Sequence, residues 1–255
     1  MPLLDRVQKH LIFLPGVCGM TLILCLQPAL LAEQTSTVSV PFVGCESDGQ
    51  TGAVAPLKGS SRSVRVDTKG GQDLAYYKSA MLEFGVLAPR GWYCFGTFGS
   101  GGEALFVSPQ PLGGTEVFSD GWAVVLNRRL GDTIGRFDVA EVIERVFPSY
   151  KRFVDDVMFD VPKGSIRYGP YRKDTLSYKG KSVVEYKTPA QTEGLGSHYP
   201  SLLKKNSSPI EGVAILIGPA QKPDLLLLSV RLPPDLTGLT SVIIRQTERD
   251  ALHIQ

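Results

Sequence analysis

Short apolar runs cut by turn residues dominate the middle of the chain. Residues 84–88, 92–98, 104–107 and 122–126 are rich in aromatic and β-branched side chains. Pro89-Arg90-Gly91, Gly99-Ser100-Gly101-Gly102, Ser108-Pro109 and Ser119-Asp120-Gly121 punctuate them. That spacing predicts strands joined as an antiparallel meander. The pattern changes after Gly131-Asp132-Thr133, where Phe137, Ala140, Ile143 and Phe147 recur at helical spacing and Asp138, Glu141, Glu144 and Arg145 turn elsewhere. Asp132 or Thr133 stands where a helix cap is needed. Pro148 ends this helix and opens a second, whose apolar stripe is Tyr150, Phe153, Val154 and Val157.

Further on, residues 175–178 and 182–188 predict a hairpin turning at Lys179-Gly180-Lys181, and residues 189–211 read as loop. The runs 213–217 and 225–232 are almost continuously apolar, which marks strands buried on both faces near the middle of a sheet. A helix over 234–251 closes the chain, with Leu236, Leu239 and Ile243 inward and Arg245, Glu248 and Arg249 outward. Before the meander, residues 33–72 read as an extended, turn-rich lead segment. Residues 72–81 read as a short helix with Leu74, Tyr77 and Met81 on one side. The fold class expected is α+β: a mainly antiparallel sheet with a helix pair and a C-terminal helix packed on it. That element order resembles the sandwich of the photosystem oxygen-evolving PsbP type.

The N-terminus changes the compartment. Residues 11–32 carry no charge, Arg6 and Lys9 precede them, and Pro28, Ala29 and Ala32 lead into a polar run. That order predicts a signal peptide over 1–32, the lead segment 33–72 and a single domain over 73–255, exported to the periplasm or beyond. An uncleaved N-terminal anchor is the competing reading, since a membrane span needs about 20 apolar residues. Of four cysteines, only Cys45 and Cys94 lie after residue 32. In an oxidising compartment such a pair is most simply a disulfide, with two buried thiols as the alternative.

Composition removes some functions. Lys and Arg number 27 against 25 Asp and Glu, so no global field marks nucleic acid as a partner. Gly180-Lys181-Ser182 lacks the earlier glycine of a phosphate loop, and Gly99-Ser100-Gly101-Gly102 lacks a following helix. Hydrolysis of the serine type would fall to His198, with Ser201, Ser207 or a distant serine as nucleophile, and no Gly-x-Ser-x-Gly elbow supports it. Cys45, Cys94 and His198 lack the spacing of metal-ligand pairs, so neither a metal nor a cofactor is expected.

One stretch is biased. Arg167, Arg172, Lys173, Lys179 and Lys181 lie among Tyr168, Tyr171, Tyr178 and Tyr186, against Asp174 and Glu185. On a hairpin these side chains can line one open face and hold an anionic or glycan ligand. Lysines guarding an edge strand would give the same pattern. The loop 193–200, with His198 and Tyr199, is the second candidate rim.

Several segments together resemble a group of secreted bacterial proteins of unassigned function. They are Phe42-Val43-Gly44-Cys45, Leu87-Ala88-Pro89-Arg90-Gly91-Trp92-Tyr93-Cys94, Glu193-Gly194-Leu195-Gly196 and Ser229-Val230-Arg231-Leu232-Pro233-Pro234. The resemblance implies export and supplies no activity. The function expected is therefore a non-enzymatic binding or accessory protein of the bacterial envelope. Its partner would be an envelope component or an anionic or glycan ligand, without a membrane span after cleavage. An envelope hydrolase using His198 and a structural subunit without a ligand are the alternatives.

Overall fold

The computed structural model describes residues 36–66, 70–112, 121–159, 161 and 173–253. The segment read as a signal peptide lies outside them, as do Arg167, Tyr168, Tyr171 and Arg172.

The first strand organises the sheet. β1 (Ser36–Gly49) changes partner twice along its length. Its start pairs antiparallel with β2 (Ser61–Val66). Its middle runs parallel to β3 (Leu74–Ser79), from Phe42 opposite Tyr76 to Cys45 opposite Ser79. Its end runs parallel to β5 (Tyr93–Gly99), beginning with Glu46 opposite Phe95. β4 (Val86–Pro89) covers the outer edge of β3. Beyond β5 the order is β6 (Gly102–Ser108), β7 (Ala123–Arg129), β11 (Asp224–Arg231), β10 (Ile210–Ile217), β9 (Val183–Thr188) and β8 (Thr175–Tyr178), all antiparallel.

Among the described residues the fold is thus α+β with a mixed sheet of 11 strands, and the expectation of a mainly antiparallel sheet is corrected by β1. A parallel neighbour requires a crossover, and the chain supplies two after β1. The short helix expected over 72–81 is also corrected. A 3-10 turn at Gly70–Gln72 leads into β3, whose Leu74, Ala75, Tyr76 and Tyr77 are all buried. A strand packed on both faces carries no alternation, and four successive apolar residues then read as helix as easily as strand.

Alternation is visible where the sheet has two apolar faces. Leu105, Val107, Val124, Leu126, Val213, Ile215, Leu226 and Leu228 enter one core with Val242 and Ile243 of α3 (Thr240–Leu252). Their neighbours Ala104, Phe106, Ala123, Val125, Ala214, Leu216, Leu225 and Leu227 enter a second core. That core also takes Val139, Val142 and Ile143 of α1 (Arg136–Val146), and Phe153, Val154 and Val157 of α2 (Lys151–Phe159). Successive side chains point to opposite faces, so each buried run feeds both cores.

The expected helix pair laid on the sheet takes a different form. α1 lies against β7 and β11, whereas the closest neighbours of α2 are α1 and the 3-10 turn Pro148–Tyr150. Pro148 cannot continue α1, because its ring lacks the N–H that the next helical bond needs, and the chain bends away from the sheet there. Cys45 and Cys94 form a disulfide with Cα atoms 5.4 Å apart, tying β1 to β5 where β1 changes neighbour.

Candidate functional site

The loop after β9 is held by its own polar groups before it presents anything outward. Asp174 Oδ2 accepts the Leu195 N–H at 2.7 Å and Thr188 Oγ1 accepts the Gly196 N–H at 2.9 Å. Ser197 Oγ accepts from the Gly194 N–H and donates to the Thr192 carbonyl. A cis Tyr199–Pro200 bond follows, and the Asn127 side-chain amide donates to the Pro200 carbonyl. Below it, Ser229 donates to Ser201 Oγ at 3.1 Å, Ser201 donates to the Gly196 carbonyl, and the Tyr186 hydroxyl meets Ser229 Oγ at 2.6 Å. These bonds pin the loop to β7, β9 and β11, while Asn127 Oδ1 and Asp174 Oδ1 are buried without a hydrogen-bond partner among the described residues.

On this support His198 and Tyr199 face α1. His198 Nε2 is 3.3 Å from Glu141 Oε1, an oxygen that also takes Arg145 Nη2 at 2.7 Å. The Arg129 guanidinium lies 5.0 Å from the centre of the Tyr199 ring, and its Nε is 3.4 Å from Asp138 Oδ2. Burial pushes the Asp138 carboxyl up to about 6, against the opposing pull of Arg129 and of the Tyr199 hydroxyl bonded to it. Burial likewise raises the Tyr199 phenol, with Arg129 opposing it. Two cations, two carboxylates and an imidazole close on one another here. A carboxylate orients His198, but Ser201 is 1% exposed and its hydroxyl is engaged with Gly196. The arrangement holds a loop, and in it Ser201 is committed to the Gly196 carbonyl rather than to His198.

The basic hairpin lies elsewhere. β8 and β9 pair as expected and turn through 179–182. Tyr178 is 55% exposed, Lys179 and Lys181 are exposed next to it at the tip, and Lys173 is exposed before the other end of β8. Lys179 Nζ is 3.4 Å from Glu185 Oε2. Glu185 in turn meets Glu248 of α3, whose carboxyl is raised by burial and by that like charge. The hairpin tip therefore belongs with α3, whereas His198 and Tyr199 belong with α1. The two expected rims are separate sites. Tyr186 does not join the open face: it shares a parity with Val184 and Thr188, is buried, and gives its hydroxyl to the Leu228 carbonyl at 2.9 Å. Arg172 lies outside the described residues.

Sequence reasoning missed a third place. Between β2 and α3 is a cleft of about 270 Å³ lined by Arg62, Arg65, Gln246, Arg249, Asp250 and His253. Arg249 Nη2 donates to the Arg65 carbonyl at 2.6 Å across a separation of 184 residues. The only sequence signal was the outward placing of Arg245 and Arg249 on the last helix.

Among the described residues no group of three or more His, Cys, Asp or Glu is arranged to hold a metal ion, and no helix is long and apolar enough to cross a membrane. Compared with protein-family models, curated proteins and solved structures, the chain matches none of them.

Proposed function

We propose that this chain is an exported, non-enzymatic binding or accessory protein of the bacterial envelope, holding an anionic or glycan-bearing component at the β8–β9 tip. The observation that carries the reading is the open tip itself. Tyr178, Lys179 and Lys181 stand exposed together, and Lys179 has Glu185 as a carboxylate neighbour. The disulfide supports export, because such bonds persist in oxidising compartments. An aromatic face beside two ammonium groups suits a ligand with both a flat apolar surface and negative charge. Hydrolysis through His198 has an orienting carboxylate in Glu141 and an engaged, buried Ser201 in place of a nucleophile.

The test is elution of the purified protein from an immobilised sulfated glycan by a salt gradient. Lys179→Ala with Lys181→Ala should elute at clearly lower salt, since exposed charges are screened within a Debye length of about 10 Å at 0.1 M salt. Equal elution of both proteins would remove the hairpin tip from the reading.

A further inference from the structure

The cleft between β2 and α3 combines an open strand edge with crowded positive charge. β2 pairs with β1 along one edge, and across the other the Arg65 carbonyl accepts from Arg249 Nη2. The same Nη2 donates to Gln246 Oε1 at 2.9 Å, while Arg249 Nε is buried with no hydrogen-bond partner. Arg62 lies 5.1 Å from the centre of the Tyr76 ring and 3.8 Å from Asp250 Oδ1.

Among the described residues Asp250 is the one carboxylate lining the cleft, and it is turned inward. It accepts the Tyr76 hydroxyl at 3.2 Å and the Gln246 amide at 2.9 Å and is 6% exposed. Among the described lining residues, Arg62, Arg65 and Arg249 against Asp250 leave a formal charge of +2 (three minus one), with His253 beside them. Burial lowers the Arg249 pKa, the neighbouring charges of Arg245 and Arg65 lower it further, and Asp250 and Glu248 oppose them. Glu248, one residue along α3, meets Glu185, Lys179 and Arg245, and its charge also reaches Arg249. Like charges held this close repel unless something negative sits among them.

We propose that this cleft binds a single tetrahedral oxyanion, the phosphate of a monoester or diester, with Arg249 and Arg62 as its charged donors and Arg65 and His253 on its rim. A guanidinium presents paired N–H groups that match two phosphate oxygens at once, which an ammonium does not. The size fits as well. Sites for drug-sized molecules run from roughly 300 to 1,000 Å³, so a cleft of about 270 Å³ admits a head group and leaves the rest of a larger ligand outside. The inference rests on the same reading of the chain as an anion-binding exported protein, but on a different surface from the hairpin tip.

The experiment is calorimetric titration of the whole exported protein with inorganic phosphate. Arg249→Gln and Arg62→Gln are compared with the Lys179→Ala and Lys181→Ala double variant. Saturable binding is expected, weakened roughly tenfold by either arginine change, the loss of one charge-assisted contact, and unchanged in the lysine variant. Arg62 is exposed, so Arg62→Gln keeps the test decisive should Arg249→Gln disturb the fold. No saturable heat at millimolar phosphate, or equal affinity in the arginine variants, overturns the site. Loss in the lysine variant alone would move phosphate to the hairpin and overturn it too. Co-sedimentation with phosphatidylglycerol vesicles, absent with phosphatidylcholine and competed by inorganic phosphate, would assign the group to a lipid. Phosphate binding without vesicle capture would assign it to a soluble ester.

Discussion

Reducing the Cys45–Cys94 bond should cost this protein a large share of its stability. The bond closes a loop with a sequence separation of 49. For a loop of about 50 residues the chain-entropy relation predicts about 4 kcal/mol from restriction of the unfolded chain. Whole domains are stable by roughly 5–15 kcal/mol, so the loss is large beside the total. Placement adds to the effect. Cys45 is the last residue of β1 paired with β3, and Glu46 is the first paired with β5. Without the bond, the parallel register of 46–49 against 95–98 rests on a few ladder bonds alone.

Urea unfolding followed by tryptophan fluorescence, with and without reductant, measures this directly. With a urea slope of about 2–3 kcal/mol/M, the midpoint should fall by roughly 1.3–2 M. Amides of Phe42–Gly49 should also exchange faster in the reduced protein than those of β10 and β11. A midpoint shift under roughly 0.5 M would refute the reasoning, because the ladder would then hold β1 without help from the bond.

Tyr186→Phe removes the hydroxyl that meets both Ser229 Oγ and the Leu228 carbonyl in a buried setting. It should destabilise by about 1–3 kcal/mol in the same urea assay and speed proteolysis of the 189–203 loop. Asp138 is held up at about 6 in the folded protein, above its ordinary value, chiefly by burial. The folded state therefore binds the extra proton. The contribution is complete below about pH 4 and is lost as pH rises through about 6, by at most roughly 3 kcal/mol. Asp138→Asn should flatten the stability–pH curve between those values; an unchanged slope would show that Asp138 is solvated in the folded state.

Much of the local structure was legible from spacing alone. The α1 stripe of Ala140, Ile143 and Phe147 is buried, and the helix stops before Pro148. The hairpin at 175–188 and the central runs of β10 and β11 stand where turn residues and continuous apolar character placed them. The cysteine pair was legible because two cysteines after residue 32 leave one pairing. Tyr186 was misplaced although the signal was present: it shares a face with Val184, and a period of two sets that face once the strand is known.

From residue 84 onward the sequence by itself marked most of the strands and helices, because turn chemistry, proline and side-chain periodicity act within a few residues. Before that point β1, β2 and β3 do not read as strands. Only the tertiary structure decided partners and orientation. β1 runs parallel to β3 and β5 because of how the chain crosses over, and no alternation within Ser36–Gly49 records which neighbour lies on either side. β3 lost its periodic signature because both of its faces are buried. His198 met Glu141, and Arg249 met Arg65, across long loops whose closure is a property of the whole core. Charge spacing along the chain shows which residues are basic; the packing of α3 against β2 is what gathers them.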